Sequence, residues 1–187
     1  MDQAAVIGIR CYIAVFVLGS PGVAGAHPVH EVVQNAYVTL TPGAVVLQLE
    51  LTAGPKVAGT IIRALDTNHD KRVSQAEARA YALRVLSSST LQIERRPLDL
   101  RLIAVDVPPY AALLGAHVTI RITARAARID RSGTARLSYR NRYTPAESRC
   151  DANVFLKSSG TVRYQVASQI RGRDGRAITV RYLTLGH

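Results

Sequence analysis

The sequence predicts a mainly β chain: an antiparallel β-sandwich-like domain with one helix–loop–helix set in after the second strand. Three observations predict it. Short segments alternate apolar and polar residues with a period of two, from residue 31 and again from residue 90, and glycine, proline or serine separates them. Between these two regions the period lengthens to that of a helix, on both sides of residues 66–77. The 187 residues suffice for one ordinary domain with a hydrophobic core.

Residues 1–26 read as a secretory signal peptide. Arg10 precedes the short apolar run Cys11–Gly19, helix-breaking residues follow, and Ala24-Gly25-Ala26 forms a small-x-small cleavage site. The run is too short for a bilayer-spanning helix of about 20 residues. Cleavage after Ala26 leaves residues 27–187 as a single domain, exported to the periplasm or beyond the cell. Cys150 is then the one remaining cysteine, so no internal disulfide is available and the core alone must hold the fold.

Residues 31–40 (EVVQNAYVTL) alternate as a strand, Thr41-Pro42-Gly43 is a turn, and residues 44–52 (AVVLQLELT) form the returning strand of a hairpin. In that second strand Val45, Leu47, Leu49 and Leu51 share one face; Val46, Gln48 and Glu50 share the other. Pro55 suits the first turn of a helix whose apolar face is Val57, Ile61, Ile62 and Leu65. A second helix, rich in good helix formers, runs from Ser74 to Leu86 with Ala76, Ala80, Leu83 and Leu86 on one side. Residues 90–94 and 98–107, with a turn at 95–97, read as another hairpin. Residues 108–116 interrupt the pattern. Residues 117–126, 134–143, 152–157 and 161–170 are further strands, and Asp174-Gly175 is a two-residue hairpin signal near the end.

The stretch Asp66–Glu77 (DTNHDKRVSQAE) carries the clearest chemistry. Calcium takes six to eight oxygens, and a twelve-residue loop can supply them from positions 1, 3, 5, 9 and 12 as side chains and from position 7 as a carbonyl. Here those positions hold Asp66, Asn68, Asp70, Ser74, Glu77 and, through its carbonyl, Arg72. Every required side chain is an oxygen donor. Val73 supplies the β-branched apolar residue at position 8. The stretch resembles the EF-hand calcium-binding family, over roughly residues 56–87. The resemblance implies side-chain ligation by Asp66, Asn68 and Asp70, carbonyl ligation by Arg72, direct or water-mediated ligation by Ser74 and bidentate ligation by Glu77. It departs at position 6, where Lys71 stands in place of glycine and a left-handed turn costs about 1–2 kcal/mol. With Lys71 and Arg72 offsetting the three carboxylates, the expected affinity is weak, roughly 10⁻⁴–10⁻³ M. Residues 74–77 (SQAE) also read as a capping box, which explains Ser74 and Glu77 without a metal. It does not explain Asp66, Asn68 and Asp70 at strict spacing two.

One such loop and a single methionine, Met1, point to a structural calcium rather than a sensor with a Met-rich groove. With Ala26-His27-Pro28 at the start of the exported part, then a strand hairpin and then the acidic loop from Leu65 to Ala78, the chain also resembles periplasmic domains that precede bacterial nickel/cobalt-type transporter membrane segments, and free-standing exported EF-hand proteins. The 187 residues contain no such membrane segment, so no transport function follows. Two other readings stand beside calcium. His27, as the mature N-terminus, and His30 could hold copper or nickel in a metal carrier. An enzyme could assemble its site from residues distant in sequence, although no nucleophile–base pair, catalytic carboxylate pair or phosphate-cradling loop is visible.

The formal charge is +11. Residues 121–187 hold 14 Arg or Lys against 4 Asp or Glu, so the excess lies in the second half. These arginines read as the wet faces of strands. An exported chain seldom meets nucleic acid, so an acidic envelope polymer or another envelope protein is the expected partner.

Overall fold

The computed structural model describes residues 30–186. The signal-peptide reading of residues 1–26 and the assignments involving Cys11, His27 and His187 lie outside the described residues. Among the described residues strands far outweigh helices, so the fold is mainly β.

Among the described residues, ten strands form two five-stranded sheets. They are β1 (Val32–Thr41), β2 (Ala44–Ala53), β3 (Ser89–Ile93), β4 (Arg96–Pro97), β5 (Arg101–Asp106), β6 (Thr119–Ala127), β7 (Gly133–Asn141), β8 (Ser148–Leu156), β9 (Arg163–Arg171) and β10 (Ala177–Leu185). One sheet has the order β5-β6-β2-β1-β8, the other β4-β3-β7-β10-β9. Helices α1 (Pro55–Leu65), α2 (Gln75–Ser87) and α3 (Tyr110–Leu114) lie between strands in the chain.

The period-two segments become strands because alternation puts every second side chain on one apolar face. In β2 the inward residues Val45, Leu47, Leu49 and Leu51 are all buried, as the alternation predicts. In β6 Ile120, Ile122, Ala124 and Ala126 are buried while Arg121 and Arg125 are exposed. Inward residues of both sheets join one cluster: Val38, Leu47 and Ile122 from the first, Leu91, Leu137, Val180 and Tyr182 from the second. The helices add Ile61, Leu65, Tyr81 and Val85 to the same cluster. Each such aliphatic side chain contributes about 1.5–3 kcal/mol on burial. The sheets are also tied by a buried polar contact. The Asn141 side-chain amide in β7 donates to Gln34 Oε1 in β1 at 2.9 Å, and Gln34 Nε2 donates to Ser148 Oγ at 2.9 Å.

Three expectations are corrected. Residues 90–94 and 98–107 do not form a hairpin with each other. The turn at Glu94 and Arg95, with φ of 48° and 64°, closes only the two-pair ladder of β3 with β4. Those left-handed values match a type I′ hairpin, and Pro97 cannot donate in a continued ladder. β5 crosses to the other sheet and pairs antiparallel with β6.

The second correction concerns α2. Its buried face is Ala78, Tyr81, Ala82, Val85 and Leu86, whereas Ala76, Ala80 and Leu83 of the predicted face are exposed. The bulky Tyr81 goes fully inside, and the helix turns to admit it. The third is strand direction: β1 pairs parallel with β8, although its pairing with β2 is antiparallel. β8 arrives from the opposite sheet, so hairpin geometry does not fix its direction.

Candidate metal centre

Residues 66–74 join α1 to α2. Proline at the start of α1 presets the backbone, and Ile61, Ile62 and Leu65 bind its inner face to the core. Asp66 caps the end of α1, its N–H donating to the Ile62 carbonyl at 2.8 Å. Ser74 caps the start of α2, with its hydroxyl accepting the Glu77 N–H at 3.2 Å. The capping box predicted for residues 74–77 is formed in full. Both ends of the loop are therefore held by packed helices.

Within the loop, side-chain oxygens at alternate positions fold the backbone around themselves. Asp66 is only 3% exposed; its Oδ1 accepts the Asp70 N–H and its Oδ2 the Lys71 N–H, both at 3.1 Å. Asn68 Oδ1 also accepts the Asp70 N–H, at 3.0 Å, and Asp70 Oδ1 accepts the Arg72 N–H at 2.9 Å. Asn68 and Asp70 thus each form an Asx turn two residues on, which is why spacing two matters here. Asp70 Oδ2 accepts from the Asn68 amide at 3.1 Å. His69 and Lys71 take left-handed backbone, with φ of 61° and 62°. Lys71 therefore adopts the conformation that glycine would take without strain at that position. Val73 packs against the core cluster, and His69 is exposed.

Glu77 closes the loop. Its Oε1 accepts the Thr67 N–H at 2.8 Å and the Thr67 hydroxyl at 3.0 Å; its Oε2 accepts the Ser74 N–H at 3.0 Å and the Ser74 hydroxyl at 2.8 Å. The Ser74 backbone N–H, followed by the Ser74 hydroxyl and the Thr67 N–H, holds its carboxyl at about 2, well below the usual 4.5. Thr67 is the residue sequence reasoning missed. Nothing in a calcium-loop spacing marks position 2, and only the closed geometry shows its role.

The donor set fits a hard cation. Asp66, Asn68, Asp70, Ser74 and Glu77 offer only oxygen at the required positions, with the Arg72 carbonyl. Among the described residues, however, no three His, Cys, Asp or Glu side chains lie close enough together to hold a metal. Asp66, Asn68 and Asp70 are brought together in the loop, while the Glu77 carboxylate is turned to Thr67 and Ser74. Bidentate use of Glu77 would require it to exchange those donors for the ion.

The other sequence candidates are placed as follows. His30 is exposed, with Nε2 3.3 Å from Lys56 Nζ, and a neighbouring ammonium disfavours a cation there. Cys150 is a free, half-buried thiol in a cleft of about 470 Å³ that also holds Glu31, Asp151 and Asp174. Burial pushes the thiol up, only partly countered by Arg176. Among the described residues no histidine lines this cleft. A raised thiol without a base is the opposite of an activated nucleophile. His117 opens the approach to β6, with its N–H on the Ala53 carbonyl at 3.2 Å. Many arginines of the basic half, including Arg121, Arg125, Arg140, Arg163 and Arg181, are exposed on strands. Among the described residues no helix is long and apolar enough to cross a membrane.

No protein-family model matches the chain, and no curated protein matches it in sequence.

Proposed function

We propose that this chain is an exported calcium-binding protein: a β-sandwich-like domain in which calcium orders an inserted EF-hand-like helix–loop–helix. It serves as a structural or accessory binding module rather than an enzyme. Asp66, Asn68, Asp70 and Ser74 would hold the ion through side-chain oxygens, Arg72 through its carbonyl and Glu77 through its carboxylate. Bound calcium would supply charge that ties α1 to α2, with no part in a reaction. The observation that carries the reading is the row of oxygens at Asp66, Asn68 and Asp70, each taking a backbone N–H ahead of it, with Lys71 left-handed beside them. A capping box alone needs only Ser74 and Glu77. The exposed arginines of β6, β7, β9 and β10 suit an acidic envelope polymer or envelope protein as partner.

The test is thermal unfolding of the chain from His27 in EDTA, in magnesium and in calcium, beside Glu77→Gln. A site of about 10⁻⁴ M adds roughly 1.4 kcal/mol at about 1 mM calcium. Calcium alone should raise the midpoint, and Glu77→Gln should respond weakly or not at all. An equal midpoint in all three conditions reduces residues 66–77 to a capped turn.

A further inference from the structure

The two sheets treat their arginines in opposite ways. The strands of the first, β5-β6-β2-β1-β8, hold four arginines against three acids, Glu50, Asp106 and Asp151. Register sets Arg121 between Glu50 and Asp106, and it is ion-paired with both, at 3.1 and 3.7 Å. Arg149 pairs with Glu31 at 3.6 Å. Arg101 lies opposite Arg125 but reaches Asp99 at 3.0 Å. The strands of the second sheet, β4-β3-β7-β10-β9, hold six arginines and no Asp or Glu. Arg136 and Arg140 flank the buried Leu137 and Tyr139 in β7, and Arg181 lies between the buried Val180 and Tyr182 in β10, so alternation turns all three outward. Arg163 of β9, across from the exposed Leu185, joins them on that face.

Arg181 stands directly opposite Arg136 on β7 and Ser168 on β9. Like charges directly opposite each other are destabilising, and among the described residues no ion pair relieves any of these four arginines. Glu94, in the turn beside β7, has its Oε1 on the Arg136 backbone N–H. Arg140 lies four residues from Arg136, and Arg163 lies opposite Leu185, four residues from Arg181. At about 3.3 Å per residue, the unmatched charges run about 26 Å across the sheet. Hydroxyl and amide side chains stand between them: Ser138 and Thr179 in register, then Ser168 and Gln165. The exposed large apolar residues of this face, Ile170 and Leu185, lie at opposite ends, across from Thr179 and Arg163.

We propose that the outward face of β7, β10 and β9 binds an extended acidic polysaccharide, its carboxylates meeting Arg140, Arg136, Arg181 and Arg163 in turn and its hydroxyls meeting Ser168 and Gln165. The proposal narrows the partner reading above to one face and rests on that reading. Charges spread over about 26 Å are beyond the reach of one small anion, whereas a chain meets them successively, each contact raising the effective concentration for the next. A folded acidic protein or a bilayer would seek an aromatic or apolar centre. This face has none, because Tyr139 and Tyr182 of its strands are buried on the inner side.

The test is calorimetric titration of the chain from His27 with polygalacturonate, galacturonate, polyglutamate and phosphatidylglycerol vesicles, all in EDTA. EDTA keeps calcium from residues 66–77, so a failure here and a failure of the calcium reading are separate results. Polygalacturonate should bind saturably, at least about tenfold more tightly per uronate unit than galacturonate, and should weaken as salt rises. Equal binding of galacturonate makes the face a small-anion site, equal binding of polyglutamate an indiscriminate polyanion patch, and tighter binding of vesicles a membrane surface. Absence of polygalacturonate binding leaves the arginines to water. Each of these overturns the proposal. Arg181→Ser and Arg163→Ser should each weaken polygalacturonate by at least about threefold. Arg125→Ser removes the same charge from the outward face of the other sheet and should leave the affinity unchanged. An equal loss in Arg125→Ser would mean that net charge alone holds the polymer, and would overturn its placement on this face.

Discussion

The Glu77 carboxylate reaches back ten residues to the Thr67 N–H, at 2.8 Å, and so latches the start of α2 to the end of α1. The same carboxylate completes the capping box with Ser74. One side chain thus serves the helix start, the loop closure and the proposed ion, and these roles compete for its oxygens.

Acid should open this latch. Folding holds the Glu77 carboxyl at about 2 instead of 4.5, so as pH falls the unfolded chain takes up the proton first. The stabilisation is therefore whole above the unfolded value and is lost as pH falls from there through the folded value. Glu77→Gln lacks it throughout. Unfolding midpoints of the two proteins should differ most at neutral pH and converge in acid. A gap that stays constant would show that the carboxylate's charge does not matter.

Lys71→Gly tests the departure from the calcium-loop pattern. Lys71 sits at φ 62°, which strains a side-chain-bearing residue by about 1–2 kcal/mol, while glycine adds about 0.5–1 kcal/mol of backbone entropy. Stability in EDTA should change by no more than about 1 kcal/mol. Removing the positive charge should at the same time tighten calcium. The calcium-dependent rise in melting midpoint should exceed that of the natural sequence.

Tyr81 anchors α2 in the core. It is fully buried, meets Tyr143 edge to face with centroids 6.2 Å apart, and accepts the Tyr143 hydroxyl at 3.2 Å. Tyr81→Ala should cost about 3–5 kcal/mol in urea unfolding, and Tyr81→Phe about 0.5–1.5 kcal/mol. Leu83→Ala, on the exposed side, should cost less than about 1 kcal/mol. The reverse order would return the helix to the face predicted from sequence.

Gly175 has φ 68°, and a Cβ there would lie 1.8 Å from the Cys150 carbonyl oxygen. Gly175→Ala must shift either the β9–β10 turn or β8. A loss of roughly 1–3 kcal/mol is expected, with faster reaction of Cys150 with a thiol reagent as β8 moves away. Unchanged stability and thiol reactivity would count against that close approach.

Local patterns were legible because neighbours in the chain enforce them. Alternation in β2 and β6 set their buried faces, Asp174-Gly175 marked the place of the turn between β9 and β10, though the connection spans residues 172–176 rather than two residues, and residues 74–77 marked the start of α2. Thr67 was not legible, because its partner Glu77 becomes a neighbour only after the loop closes.

The sequence by itself determined where most of the strands and the two main helices lie, and which oxygens stand at alternate positions from Asp66 to Asp70; it missed β4, read as a turn, and the first half of β8. A period of two or 3.6 and a capping residue are short-range facts, settled by sterics within a few residues. Only the tertiary structure decided that β5 joins β6, that β8 runs parallel to β1, that α2 turns Tyr81 inward and that Arg128 is buried. Those outcomes depend on which distant surfaces can cover one another. An apolar face is written in the sequence, but its partner is chosen by the packing of the whole core.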